Sequence, residues 1–172
     1  MKPELIAPSL FHVSEGEIGR FEPRPTASVH EPVVWAVDDR RLHNYLLPRD
    51  CPRVTFYAGP ATMPDDAERF LGASPAVVAV ESGWLERIRA CVLYCHHLPS
   101  GAFECLDEGA GYFVSRDAVV PGRVEVIEDV IAELLGRGVE LRFLPSLWHL
   151  HDAVAASSLR FSMIRMRNAA PR

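Results

Sequence analysis

Two stretches constrain the fold more than any others: Val33-Val34-Trp35-Ala36-Val37 and Ala76-Val77-Val78-Ala79-Val80. Both are apolar at every position and rich in β-branched residues, so side-chain alternation leaves neither run a polar face. A strand apolar on both sides has to be buried on both sides, in the middle of a sheet that other elements cover. An open, one-sided meander is therefore excluded. The chain carries fourteen prolines, which break the remainder into short elements joined by turns.

Further strands are expected at residues 10–14, 53–58, 90–96, 103–105, 111–115, 139–143 and 159–166. Asp38 or Asp39 is placed to N-cap a short helix from Leu42 to Leu47 that Pro48 ends. A second helix is expected over 63–71, with Pro64 and two aspartates in its first turn. A turn or short helical passage follows at 83–89. The strongest helical stripe is Ile127, Val130, Ile131, Leu134 and Leu135, predicting a helix over 124–135 that Gly136-Arg137-Gly138 stops. Ser146 can cap a last helix reaching about Ala156. Seven to nine strands and three or four short helices, not in strict β-α-β alternation, predict an α+β fold with a mixed or antiparallel sheet. No repeat or low-complexity linker appears, so a single domain over 1–172 is expected.

Composition narrows the function classes. With 48% hydrophobic and 24% charged residues the chain is globular, not disordered. A formal net charge of −5 provides no overall basic field for nucleic acid or membrane. The one local exception is the tail from Arg160 to Arg172, with four arginines and no acid. Met1 to Leu5 lacks a secretory apolar core, no apolar run reaches the ~20 residues of a membrane helix, and the four cysteines suit reduced thiols. A soluble cytoplasmic protein is the expectation.

The densest candidate site is Pro8-Ser9-Leu10-Phe11-His12-Val13-Ser14-Glu15. On a strand, Leu10, His12 and Ser14 share one face, so an imidazole and a hydroxyl project together. They are either a ligand-gripping pair or a strand end whose serine caps the following turn. Tyr45 is a candidate stacking wall. Arg165 and Arg167, on one face of a terminal strand, are candidates for a phosphate. Cys51, between Arg49 and Arg53, is a candidate activated thiol without an evident partner base. Cys91, Cys95, His96, His97 and Cys105 lack the paired short spacing of structural zinc, and His149 and His151 diverge on a helix, so no metal is expected.

Three segments carry a resemblance. Leu10-Phe11-His12-Val13-Ser14, then Ile18-Gly19-Arg20-Phe21-Glu22-Pro23, then Val34-Trp35-Ala36-Val37-Asp38 resemble the opening of ADP-ribosyltransferase-like domains. The resemblance covers roughly the first 40 residues and implies a split-sheet fold with NAD as cofactor. It would put His12 and Ser14 on the nicotinamide ribose and amide. It departs from the pattern where the catalytic acid belongs, at the start of the strand Gly111-Tyr112-Phe113-Val114-Ser115. Gly111 and Ala110 stand there, with Glu108 and Glu125 as the nearest carboxylates. That leaves either a transferase or a non-catalytic ligand-binding or interaction protein of the same fold. The whole chain also resembles a small bacterial family of unassigned activity. The segments that carry this likeness are Asn44-Tyr45-Leu46-Leu47-Pro48-Arg49-Asp50-Cys51-Pro52-Arg53, Gly111-Tyr112-Phe113-Val114-Ser115, Pro145-Ser146-Leu147-Trp148 and Ile164-Arg165-Met166-Arg167-Asn168.

Overall fold

The computed structural model describes residues 7–172, and the start read above, Met1 to Leu5, lies outside them. The chain runs β1 (Leu10–Ser14), β2 (Arg24–Thr26), β3 (Val29–Asp38), a 3-10 segment (Asp39–Tyr45), β4 (Arg53–Tyr57), α1 (Pro64–Phe70) and β5 (Ala76–Glu81). A 3-10 turn (Ser82–Trp84) leads into α2 (Leu85–Ala90), followed by β6 (Leu93–Leu98), β7 (Glu104–Asp107), β8 (Tyr112–Ser115) and β9 (Arg123–Ile127). Then come α3 (Val130–Gly136), β10 (Glu140–Leu144), α4 (Trp148–Ala155), β11 (Arg160–Ile164) and a 3-10 turn (Met166–Asn168). The fold is α+β, with two sheets and a few short helices.

Two compact units result. One takes the chain up to Tyr45 together with Leu93–Ile127; the other takes Leu46–Val92 and Glu128–Arg172. Each unit is built from two separate stretches of chain. No linker composition marks the boundaries, because each lies within a tightly folded passage.

The first unit holds a seven-stranded sheet of order β7-β8-β3-β1-β6-β9, with β2 added to β3. The run Val33–Val37 is central as expected, with β8 and β1 on its two sides. The strand does not stop at Pro32, however, and β3 begins at Val29. Pro32 lies in the half of β3 that pairs with β2, where the register slips between Arg24 and Thr26. A missing N–H is tolerated at such an irregular pairing. Leu10, Phe21, Val34, Ala36, Leu98 and Val119 form the core on one face, with Ile18 and Phe113 packed against them.

The second unit holds a four-stranded sheet of order β10-β5-β4-β11, in which β5 and β10 are parallel and the other pairs antiparallel. All six residues of β5 are buried, as a doubly apolar run requires. Val54, Phe56, Val77, Ala79, Leu147, Val154 and Leu159 make the core between this sheet and α4. Each large side chain so buried contributes about 1.5–3 kcal/mol.

The helix expected over 124–135 is two elements. Val124 and Val126 belong to β9, and the helix is the shorter α3. Asp129 separates them: its carboxylate accepts the Ala132 N–H at 2.9 Å and caps α3, so the backbone ahead of it is free to pair with β6. The strand expected from Ala90 begins only at Leu93, because Ala90 completes α2 and Cys91 caps it.

Candidate functional site

In the seven-stranded sheet His12 stands on β1 between β3 and β6. Its Nδ1 lies 3.0 Å from the Trp35 carbonyl. A carbonyl only accepts, so that nitrogen carries the proton and donates. The ring packs on Phe21 with centroids 4.7 Å apart and stays half-buried. The imidazole is therefore fixed in tautomer and direction before any ligand arrives.

Ser14 shares the face, as alternation requires, but its hydroxyl donates to the Gly16 carbonyl at 2.5 Å. It closes the turn that follows the strand, the second of the two roles open to it. Behind His12 lies His96, directly paired with it across β1 and β6 and fully buried. The Ile18 N–H donates to its Nε2 at 2.9 Å, so Nδ1 is the protonated nitrogen, and it donates to the His12 carbonyl at 3.1 Å. His96 thus ties the Ile18–Phe21 loop to the backbone of His12. Sequence reasoning missed it because its partner Ile18 lies 78 residues away.

The other candidates separate. Tyr45 donates its hydroxyl to the Tyr112 hydroxyl at 3.0 Å. Tyr112 pairs with Val37, and Val37 with Phe11, which is on the face opposite His12. Trp35 joins Tyr112 there in an edge contact at 5.7 Å. Tyr45 is a member of that aromatic layer and does not share the His12 face. Arg165 and Arg167 belong to the other unit, and they do not lie on a strand. β11 ends at Ile164, Arg165 adopts a left-handed conformation with φ 56°, and Arg167 lies in the 3-10 turn. Arg165 donates to the Arg49 carbonyl at 3.3 Å, whereas Arg167 is exposed. A shared strand face is thus replaced by a turn that sends the two side chains separate ways.

Carboxylates are poorly placed for transfer chemistry at His12. Glu125 pairs with Cys95, which pairs with Val13, so it too faces away from His12. It is held by Arg123 and His97 at 3.1 and 3.2 Å. Glu108 sits in the β7–β8 turn, where its carbonyl accepts from Arg40 at 3.0 Å. The carboxylate on the His12 face is Asp38, opposite Leu10 and only 4% exposed. Arg40 grips it through Nε and Nη2 at 2.9 and 2.7 Å, and the Arg41 N–H adds a third bond at 3.2 Å. This pairing raises the Arg40 pKa, chiefly through the hydrogen bond to Asp38. Asp38 is thus spent on holding the β7–β8 turn, where Arg41 also reaches the Gly109 carbonyl at 3.2 Å.

Gly111 is where the catalytic acid was sought. Its φ is +67°, and a Cβ built on it would lie 2.5 Å from Asp38 Oδ1 and 2.8 Å from Arg41 Cγ. No side chain fits there, an acidic one least of all.

In the second unit Cys51 is fully buried, and burial pushes its thiol up to about 12, overriding the lowering by Arg53. The activated-thiol reading fails on that point. Arg53, only 2% exposed, spends its guanidinium on the Cys51, Pro48 and Arg49 carbonyls at 3.0, 2.7 and 3.4 Å. Among the described residues no cluster of histidine, cysteine, aspartate and glutamate could hold a metal. No helix among them is long and apolar enough to cross a membrane.

Fold and site define an α+β protein with a half-buried histidine fixed on a sheet face, where the buried carboxylate of Asp38 is held by Arg40. The chain belongs to a family of unknown function (DUF6886), whose model matches residues 11–169. No curated protein and no solved structure matches the chain, so the comparisons add nothing to the ADP-ribosyltransferase resemblance.

Proposed function

We propose that this protein binds a nucleotide-class ligand at the His12 face of its first unit and does not transfer ADP-ribose from it. The observation that carries the reading is the His12 imidazole, held in one tautomer by the Trp35 carbonyl and half-open. A group oriented in advance loses little freedom on meeting a ribose hydroxyl, so its bond adds to affinity at low entropic cost. Transfer would need a carboxylate against the developing ribosyl cation. Asp38 is neutralised by Arg40, and Gly111 leaves no room for another.

NAD is the first ligand to test, on the strength of the N-terminal resemblance. Ser14 shapes the turn beside the site; Arg165 and Arg167, which belong to the other unit, and Tyr45, on the opposite face, have no part in it. A small nucleotide is favoured as partner over nucleic acid, for which a net charge of −5 provides no overall basic field, and it fits a cytoplasmic protein.

Thermal shift with NAD, ADP-ribose and nicotinamide, on wild type and His12→Ala, tests the reading. Stabilisation of wild type by NAD or ADP-ribose, weakened at least tenfold in apparent affinity by His12→Ala, is expected. Absence of stabilisation by all three ends the nucleotide reading, and equal stabilisation of the variant removes His12 from the site. Release of nicotinamide on prolonged incubation with NAD overturns the non-catalytic assignment.

A further inference from the structure

A groove of about 270 Å³ opens in the second unit, and neither Arg165 nor Arg167 lines it. Arg69 and Phe70 line it from the end of α1, Arg142 and Leu144 from β10, and His149 and Leu150 from the first turn of α4. Its floor is apolar: Phe70 is buried, and Leu144 and Leu150 pack on the same core. Its rim is cationic. The Arg69 guanidinium lies 5.0 Å over the Phe70 ring, and that of Arg142 lies 5.6 Å over Phe56. We propose that this groove binds a small molecule with an apolar body and a single carboxylate.

Charge decides between a carboxylate and a phosphate. Arg142 is neutralised from outside the groove by Glu140, at 2.7 Å from Nε, and is fixed by a further bond to the Phe70 carbonyl at 2.7 Å. Ser74 and Arg142 together hold the Glu140 carboxyl below its usual pKa, Arg142 being the larger cause, so it is ionised at neutral pH. Arg69 is exposed, and the nearby Asp66 is turned to Ser158, which donates both its N–H and its hydroxyl at 2.7 and 2.6 Å. What remains in the lining among the described residues is the fork of Arg69, with the imidazole of His149. One guanidinium over an aromatic face matches one planar carboxylate, where a phosphate dianion would be left half-compensated. The volume, just below the range of drug-sized pockets, suits a ligand of about ten non-hydrogen atoms.

The test uses the full chain, labelled for amide NMR, with phenylacetate, its neutral analogue 2-phenylethanol, and inorganic phosphate as probes. Phenylacetate is expected to shift the Phe70, Leu144 and Leu150 amides at about millimolar concentration. Its affinity should fall at least tenfold in Arg69→Gln, as loss of a charged hydrogen bond predicts. Ala153→Leu, which fills the groove from α4, should abolish the shifts while the melting temperature holds. Failure of phenylacetate to shift these amides overturns the proposal, as does unchanged affinity in Arg69→Gln. Equal binding by 2-phenylethanol would reduce the groove to apolar surface, and equal binding by phosphate to a bare anion site; either result overturns it. None of these outcomes bears on His12, which lies in the other unit.

Discussion

Replacing Gly111 by alanine should be one of the most damaging single-methyl changes this chain can suffer. Two costs add. A φ of +67° is open to glycine but costs an alanine about 1–2 kcal/mol. The new Cβ would also lie 2.5 Å from Asp38 Oδ1 and 2.9 Å from its Cγ, both atoms of a side chain that is buried and held by Arg40 and the Arg41 N–H. For the carboxylate to retreat, about one charged hydrogen bond must be given up, worth about 1.5–3 kcal/mol. The sum is about 2.5–5 kcal/mol. For a chain of this size it lowers the melting temperature by roughly 5–20 °C. Urea unfolding of wild type, Gly111→Ala, Asp38→Ala and the double variant separates the two costs. With Asp38 truncated, the alanine should meet only backbone strain, so the cycle should show a coupling of at least about 1.5 kcal/mol. A cost below about 1 kcal/mol for Gly111→Ala would refute the packing argument. Strictly additive variants would refute its electrostatic half.

Two shorter expectations accompany it. Cys51, its thiol raised to about 12, holds about one part in ten thousand as thiolate at pH 8, so iodoacetamide should label the exposed Cys105 and leave Cys51 untouched in the native protein; mass spectrometry showing Cys51 labelled as fast as Cys105 would contradict this. Asp66 has its pKa lowered by the hydrogen bonds from Ser158, so its ionised form favours the fold; that stability is present above the ordinary value of 3.8 and is lost as pH falls through the lower, folded-state value. Asp66→Asn should therefore destabilise at pH 7 and converge on wild type as pH falls through that lowered folded-state value, and a constant difference across an acid titration would exclude the linkage.

How much of this was legible beforehand depended on the range of the cause. The runs Val33–Val37 and Ala76–Val80 announced central strands because burial on both faces is written into each residue. Val124 to Leu135 misled because two periods overlap in it. Val124 and Val126 alternate, while Ile127, Val130, Ile131 and Leu134 repeat as a helix does. Asp129, capping Ala132, was the signal that divides them. Arg165 and Arg167 were assigned a common strand face because nothing local predicts a left-handed arginine; Asn168, whose amide donates to the Asp50 carbonyl at 2.8 Å, helps hold that turn from a distant loop. Asp38 was legible as a helix cap but not as the anchor of a turn some seventy residues on. Pairing that distant in sequence leaves no periodic trace.

The same distinction governs the site. His12 and His96 are one residue type at paired positions, and their sequence contexts do not rank them. Burial and bonding do. His96 is fully buried and gives both ring nitrogens to backbone groups, one on the Ile18 N–H and one on the His12 carbonyl. An imidazole used up in that way is a fastener, and removing it leaves a loop amide unpaired at about 1–3 kcal/mol. His12 is oriented by its Nδ1 bond to the Trp35 carbonyl, and its ring is half-buried instead of fully buried. Truncating His12 forgoes its hydrogen bond to Trp35, worth about 1 kcal/mol, and its contact with Phe21, so the ligand-free melting temperature of that variant is the baseline against which its loss of ligand stabilisation is read. A loss in a His96 variant could not be read so, because the loop over the His12 face would loosen with it.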